Sequence, residues 1–197
     1  MRALPSSGTP DSQCSISLFS AGTIGGELHP FPGVTGNCVL LRPESRGYVR
    51  IKSADPRQAP AIHPNYLATQ KDRETIVAGV AAMRRIFQAP AMACHIAEEI
   101  EPGKQCDSDD GLLDFIRRRG STTYHPVGTC RMGQDQNAVV DERLRVRGFA
   151  GLRVIDASIM PTVVSGNTNA AVVMIAEKGA GMILEDAAAN VPVAISA

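Results

Sequence analysis

A polar, glycine-containing turn, Ser165-Gly166-Asn167-Thr168-Asn169, runs directly into an alanine-rich apolar stretch at 170–184. Glycine permits the tight turn, the small polar side chains suit a helix cap, and the composition that follows favours a helix. A helix starting here presents unpaired N–H groups and partial positive charge, an end that stabilises an anion such as a phosphate or a reduced ring. Upstream, residues 152–155 are apolar and β-prone, which predicts a short strand. It would end at Asp156-Ala157-Ser158, with Met160-Pro161 forcing the chain out of the sheet. A polar group at a strand tip suits ligand contact.

Three blocks around this turn hold the candidate chemistry. The first is His125-Pro126-Val127-Gly128-Thr129-Cys130-Arg131-Met132-Gly133, and the second is Arg153-Val154-Ile155-Asp156-Ala157-Ser158. The third is Gly166-Asn167-Thr168-Asn169-Ala170, continued by Ile175-Ala176-Glu177-Lys178. A histidine exchanges a proton near neutrality, and an amide holds an oxygen without titrating. Each residue also has a plainer reading. His125 before Pro126 suits a structural turn, Asp156 suits a turn or cap, and Asn169 suits an N-cap. Ser165, His125 and Asp156 are the residue types of a hydrolase triad, but no G-x-S-x-G elbow surrounds the serine.

In this order and density the blocks resemble the C-terminal signature of the glucose-methanol-choline family of FAD-dependent oxidoreductases. The resemblance continues upstream through Leu41-Arg42-Pro43-Glu44-Ser45-Arg46-Gly47 and Pro60-Ala61-Ile62-His63-Pro64-Asn65-Tyr66-Leu67, covering roughly residues 10–185. It implies oxidation of a primary alcohol to an aldehyde, with hydride passing to FAD. His125 then stands at the position of the base that removes the hydroxyl proton. Asn167, ten residues before Glu177, stands at the partner position. Asp156, Ala157, Thr168 and Asn169 stand against the FAD, partly through backbone N–H groups. The family leaves the alcohol open among primary alcohols, choline-like compounds and sugars, and leaves the electron acceptor open too.

The fold implied is mixed α/β (α+β). Residues 1–120 would form part of an antiparallel-sheet substrate-binding domain, and 121–197 the last strand and helix of a Rossmann-like FAD-binding domain. Family members hold the ADP half of FAD with a G-x-G-x-x-G turn; here Gly179-Ala180-Gly181 lacks the third glycine and lies in a helix-like stretch. The resemblance therefore implies the C-terminal part of a longer enzyme, with a separate N-terminal FAD-binding half as a partner. The alternative is an inactive remnant, or a non-catalytic half dependent on such a chain.

Twenty basic residues balance twenty acidic ones, which gives no electrostatic case for nucleic acid or an anionic membrane. Histidines at 29, 63, 95 and 125 lack metal-ligand spacing, so no metal is expected. Five scattered cysteines without C-x-x-C argue for reduced thiols and a cytoplasmic setting. No apolar run approaches the roughly 18 residues of a membrane span.

Along the chain, 14–19 alternates as a strand does, and 21–36 is a glycine-punctuated loop. Residues 38–42 and 48–52 predict a hairpin around 43–47. A helix is expected over 72–88, with Ile76, Val80, Met83 and Phe87 on one face. A short helix at 91–98 follows, then one at 109–119 capped by Ser108 and closed by Gly120. The tail, 185–197, loses periodicity and is expected to fray.

Overall fold

The computed structural model describes residues 1–22 and 26–189. Its contacts divide into two compact units, Met1–Tyr124 and His125–Ala197.

The first unit is built on two antiparallel strand pairs. Strand β1 (Ser12–Ser17) pairs with β2 (Thr35–Leu40), and β3 (Tyr48–Arg50) pairs with β4 (Ala61–His63). The predicted hairpin between 38–42 and 48–52 is therefore not formed. Its connection is held instead by Asp72, near the start of helix α1 (Gln70–Gln88). That carboxylate accepts from the Glu44 and Ser45 N–H groups at 2.8 Å each, and from the Ser45 hydroxyl at 2.5 Å. The donors of the 43–47 segment thus point at a helix, so the strand that follows is led away from β2.

Asp72 is only 2% exposed. Burial pushes its carboxyl up, but the Ser45 hydroxyl and the two N–H groups outweigh burial, and the net shift is downward. A buried carboxylate needs such donors to stay ionised. The helix begins at Gln70 rather than 72 because Thr69 caps it, its hydroxyl accepting from the Asp72 N–H. Ile76 and Met83 of the expected stripe are buried, while Val80 and Phe87 are half-buried. Packing against β2 is close: a Cβ on Gly36 would lie 2.6 Å from both Met83 Cγ and Phe87 Cε2.

Beyond α1, helix α2 is the single turn Pro90–Ala93, shorter than 91–98. The chain tightens after it, with His95 and Ile96 N–H groups bonding Met92 and Ala93 carbonyls three residues back. Glu99 is drawn away to Arg84, which also donates to the Gly103 and Cys106 carbonyls. Helix α3 (Asp109–Arg119) has the expected ends. Ser108 accepts from Gly111 N–H, and Gly120 N–H reaches Ile116 at 2.7 Å.

In the second unit, Val140, Leu144, Ile159, Met160 and Ile175 form a buried core. The expected strand at 152–155 is not formed. Only isolated bridges appear: Arg145 with Arg153, and Val140 with both Met132 and Val146. Leu144, Gly148 and Gly151 adopt positive φ at 62°, 79° and 71°, and these turns interrupt any continuous ladder on the partner side.

Helix α4 (Asn169–Ala189) runs past the expected end, so 185–189 is helical and not frayed. Residues 190–197 lie outside the described residues. Charge explains the extension. Asp186 takes Arg145 at 2.6 Å, Arg143 at 2.8 Å and Arg153, while Glu185 takes Arg143 at 3.1 Å. Midway along, a Cβ on Gly179 would lie 2.6 Å from Ile155 Cγ2, so the helix meets this segment closely.

Two outcomes are expected. Asp72→Ala leaves three donors without their acceptor and should lower unfolding free energy by about 2–4 kcal/mol in a urea titration. The hydrogen bond from Arg145, opposed by burial and reinforced by Arg153 and Arg143, holds Asp186 down at about 2. A depressed carboxylate adds stability above its unfolded value, about 3.9, and loses it as pH falls through the folded value. Wild type should therefore weaken between about pH 4 and pH 2, and Asp186→Asn should flatten that limb while being less stable at pH 7. Acid titrations followed by circular dichroism check this.

Candidate active site

All six candidate residues lie in the second unit and are tied to its core. His125 is half-buried, and Val127, next but one, packs on the core. Gly128 has φ 87°, and a Cβ there would stand 3.3 Å from the Met160 carbonyl oxygen. The chain then runs beside the short 3-10 turn Ala157–Ile159. Cys130 N–H donates to the Ser158 carbonyl at 3.0 Å, and Met132 N–H to that of Ile159 at 2.7 Å. These bonds place the block that begins at His125 against the block that contains Asp156 and Ala157.

Asp156 sits at a cap, where a strand tip was expected. Its Oδ1 accepts from the Ser158 N–H at 2.7 Å and the Ser158 hydroxyl at 2.5 Å, which opens the 3-10 turn. The structure thus gives this exposed carboxylate a local task, which takes support from the hydrolase reading. Ala157 is half-buried on the core.

The third block leads into α4. Gly166 N–H donates to Val164 at 2.8 Å, making a tight bend, and Val164, Ala171 and Val172 pack on the core. The Thr168 carbonyl accepts from Val172 N–H at 3.0 Å. Thr168 therefore occupies the cap position, and Asn169, expected as the cap, is the first helical residue. Thr168 is buried, whereas Asn167 and Asn169 are exposed.

His29 and His63 also precede prolines, so that restraint does not distinguish His125. The arginines that secure α4, Arg143, Arg145 and Arg153, were missed by the sequence reading. Their alternation around 143–147 was a visible signal, but their acceptor lies about forty residues away. Among the described residues, no group of three or more His, Cys, Asp or Glu side chains could hold a metal ion. No described helix is long and apolar enough to cross a membrane.

Asn167 lies two residues before the start of α4, and the block that begins at His125 is bonded to the Ala157–Ile159 turn. In α4 the leading N–H groups have no intrahelical acceptor and carry partial positive charge. Such an end holds an oxyanion or favours negative charge on a bound group.

Comparison with known proteins gives a consistent result. Residues 43–176 match the family model described as GMC oxidoreductase. An alcohol dehydrogenase [acceptor] of Pseudomonas putida is 51% identical over 152 residues, 77% of this chain and 28% of that protein. An oxygen-dependent choline dehydrogenase of Escherichia coli O45:K1 (strain S88 / ExPEC) is 48% identical over 143 residues, 73% of this chain and 25% of that protein. The crystal structure of pyridoxine 4-oxidase from Mesorbium loti superposes with a TM-score of 0.84 at 34% identity, covering 94% of this chain and 37% of that one. The chain spans about a quarter of the length of the curated relatives it matches. With a half-identical relative and a family model spanning most of its length, the chain belongs to the GMC oxidoreductase family.

Proposed function

We propose that this chain carries the proton-transfer end of an FAD-dependent oxidation of a primary alcohol to an aldehyde. The observation that carries the reading is the anchoring of the His125 block to the Asp156-capped turn, on the same core that seats the start of α4. Solved neighbours of the family are FAD-dependent, in line with a flavin here.

The residues present fit the ring end of that cofactor. Exposed Asn169 and the leading N–H groups of α4 supply donors, and Ala157 and Thr168 bring small side chains where a flat ring needs room. Bound FAD supplies the hydride acceptor. His125 takes the hydroxyl proton, a general-base role worth on the order of 10²–10⁴-fold in rate. Asn167 donates its amide to the alcohol oxygen and keeps it oriented without competing for the proton. The start of α4 favours the negative charge that develops beside it.

The ADP half of FAD calls for a G-x-G-x-x-G turn, which these 197 residues do not contain. We assign that task to polypeptide beyond them, whether part of the same chain or a separate N-terminal half. Residues 1–120 are assigned to the substrate-binding domain and 121–197 to the FAD-binding domain.

The test uses the FAD-loaded protein, reconstituted with an N-terminal half where the chain alone does not retain flavin. Choline and a short primary alcohol are mixed with it without oxygen, and bleaching of the flavin absorbance is followed. His125→Ala should slow reduction about 10²–10⁴-fold while flavin stays bound. Asn167→Leu should slow it by a smaller factor. Wild-type rates in His125→Ala would remove the base assignment.

A further inference from the structure

Strands β1 and β2 bring two cysteines face to face. Cys14 is the register partner of Cys38. Leu41 N–H donates to the Asp11 carbonyl at 2.9 Å, so Asp11 and Leu41 form a hydrogen-bonded pair of the ladder. Pair types alternate along antiparallel strands. By that alternation Gln13 and Val39 are a hydrogen-bonded pair, and Cys14 and Cys38 a non-hydrogen-bonded one. Non-hydrogen-bonded pairs bring their Cα atoms to about 4.5 Å, within the roughly 4.4–6.8 Å a disulfide spans.

The two side chains have different surroundings. A Cβ on Gly79 of α1 would fall 2.2 Å from Cys38 Sγ, so the helix rests on this sulfur and only a glycine leaves it space. Burial, and then the neighbouring Cys14, push the Cys38 thiol up to about 12. Cys14 Sγ lies 3.7 Å from Met1 Sδ at the exposed side. Both thiols are free. Cys94, Cys106 and Cys130 lie on no strand and have no such partner.

We propose that Cys14 and Cys38 form a reversible dithiol–disulfide pair that closes when the protein meets a hydroperoxide. The Cys14 thiolate attacks the terminal peroxide oxygen and the O–O bond breaks. The departing alkoxide takes up the proton that Cys14 released, and Cys14 is left as a sulfenic acid. Cys38 sulfur then attacks Cys14 sulfur, the S–O bond breaks, and hydroxide leaves with the Cys38 proton as water. The thiols give up two electrons and two hydrogens, and the hydroperoxide becomes alcohol and water. Burial makes Cys38 a poor first attacker, and its place directly opposite Cys14 in the ladder suits it to the second step, where it gives up its proton as the S–S bond forms. The closed disulfide ties β1 to β2 within their ladder, three pairs in from Ser17 and Thr35.

The test exposes the 197-residue chain to hydrogen peroxide, alkylates remaining thiols under denaturing conditions, and maps the peptides by mass. Expected is a single Cys14–Cys38 cross-link, two hydrogens lighter, opened by dithiothreitol and accompanied by a raised thermal midpoint. Cys38→Ser should accumulate sulfinic acid at Cys14, whereas Cys14→Ser should leave Cys38 alkylated and intact. Recovery of both wild-type thiols unmodified overturns the proposal. So does a cross-link to Cys94, Cys106 or Cys130, or irreversible oxidation of Cys14 with Cys38 untouched. Should a serine variant fail to fold, the wild-type map alone decides.

Discussion

The second unit depends on a core of five buried side chains, Val140, Leu144, Ile159, Met160 and Ile175, supplied by segments with little regular structure of their own. Each such burial contributes about 1.5–3 kcal/mol, as an upper bound against an extended chain. Without a continuous sheet, backbone partners come one at a time: Met132 to Ile159, Val146 to Leu152, Val154 to Leu144. Irregular backbone is affordable here because its polar groups still find acceptors. The same core fixes His125 through Val127, the Asp156 turn through Ala157, and the start of α4 through Ala171 and Val172. Site and core are thus one construction, and a cavity opened beneath it would displace the candidate residues together.

The first unit adds polar groups at the margin of its own core, which includes Leu41, Ile76, Val77 and Met83. Asp72 gathers the 43–47 connection onto α1, and Arg84 gathers the segment after α2 by three separate acceptors, Glu99, Gly103 and Cys106. Both are buried or half-buried charges satisfied on several sides, the circumstance in which such groups are tolerated. Their role is to position loops, which hydrophobic contact alone directs poorly.

Legibility of the sequence followed the range of the forces involved. Helix α3 was readable to both ends because its stops, Ser108 and Gly120, act on neighbours in sequence. The β-prone stretch 152–155 misled, since a strand exists only with a ladder partner and the partner side is broken by Leu144, Gly148 and Gly151. The hairpin misled for a related reason: Asp72 lies 28 residues from Glu44, beyond the reach of local propensity. The end of α4 was misplaced because Asp186 answers to arginines 33 to 43 residues away. The candidate site was legible as residue blocks through family resemblance. Their mutual placement was not, because it rests on the backbone bonds of Cys130 and Met132 and on shared packing.

Helix α4 is seated in its middle and clamped at its far end. Gly179 rests on Ile155, and the Asp186 cluster holds the C-terminal part. A helix rises about 1.5 Å per residue, so its first residue, Asn169, stands about 15 Å from that seat. Ala171, Val172 and Ile175 also pack in or on the core, so a tilt of the rod about Gly179 works against that packing. A tilt of about 4° at the seat swings the leading N–H groups by about 1 Å, a misplacement that in enzyme sites costs about a hundredfold in rate. The arginines at the remote end thereby share, with the core, in holding the aim of the candidate residues at the helix start.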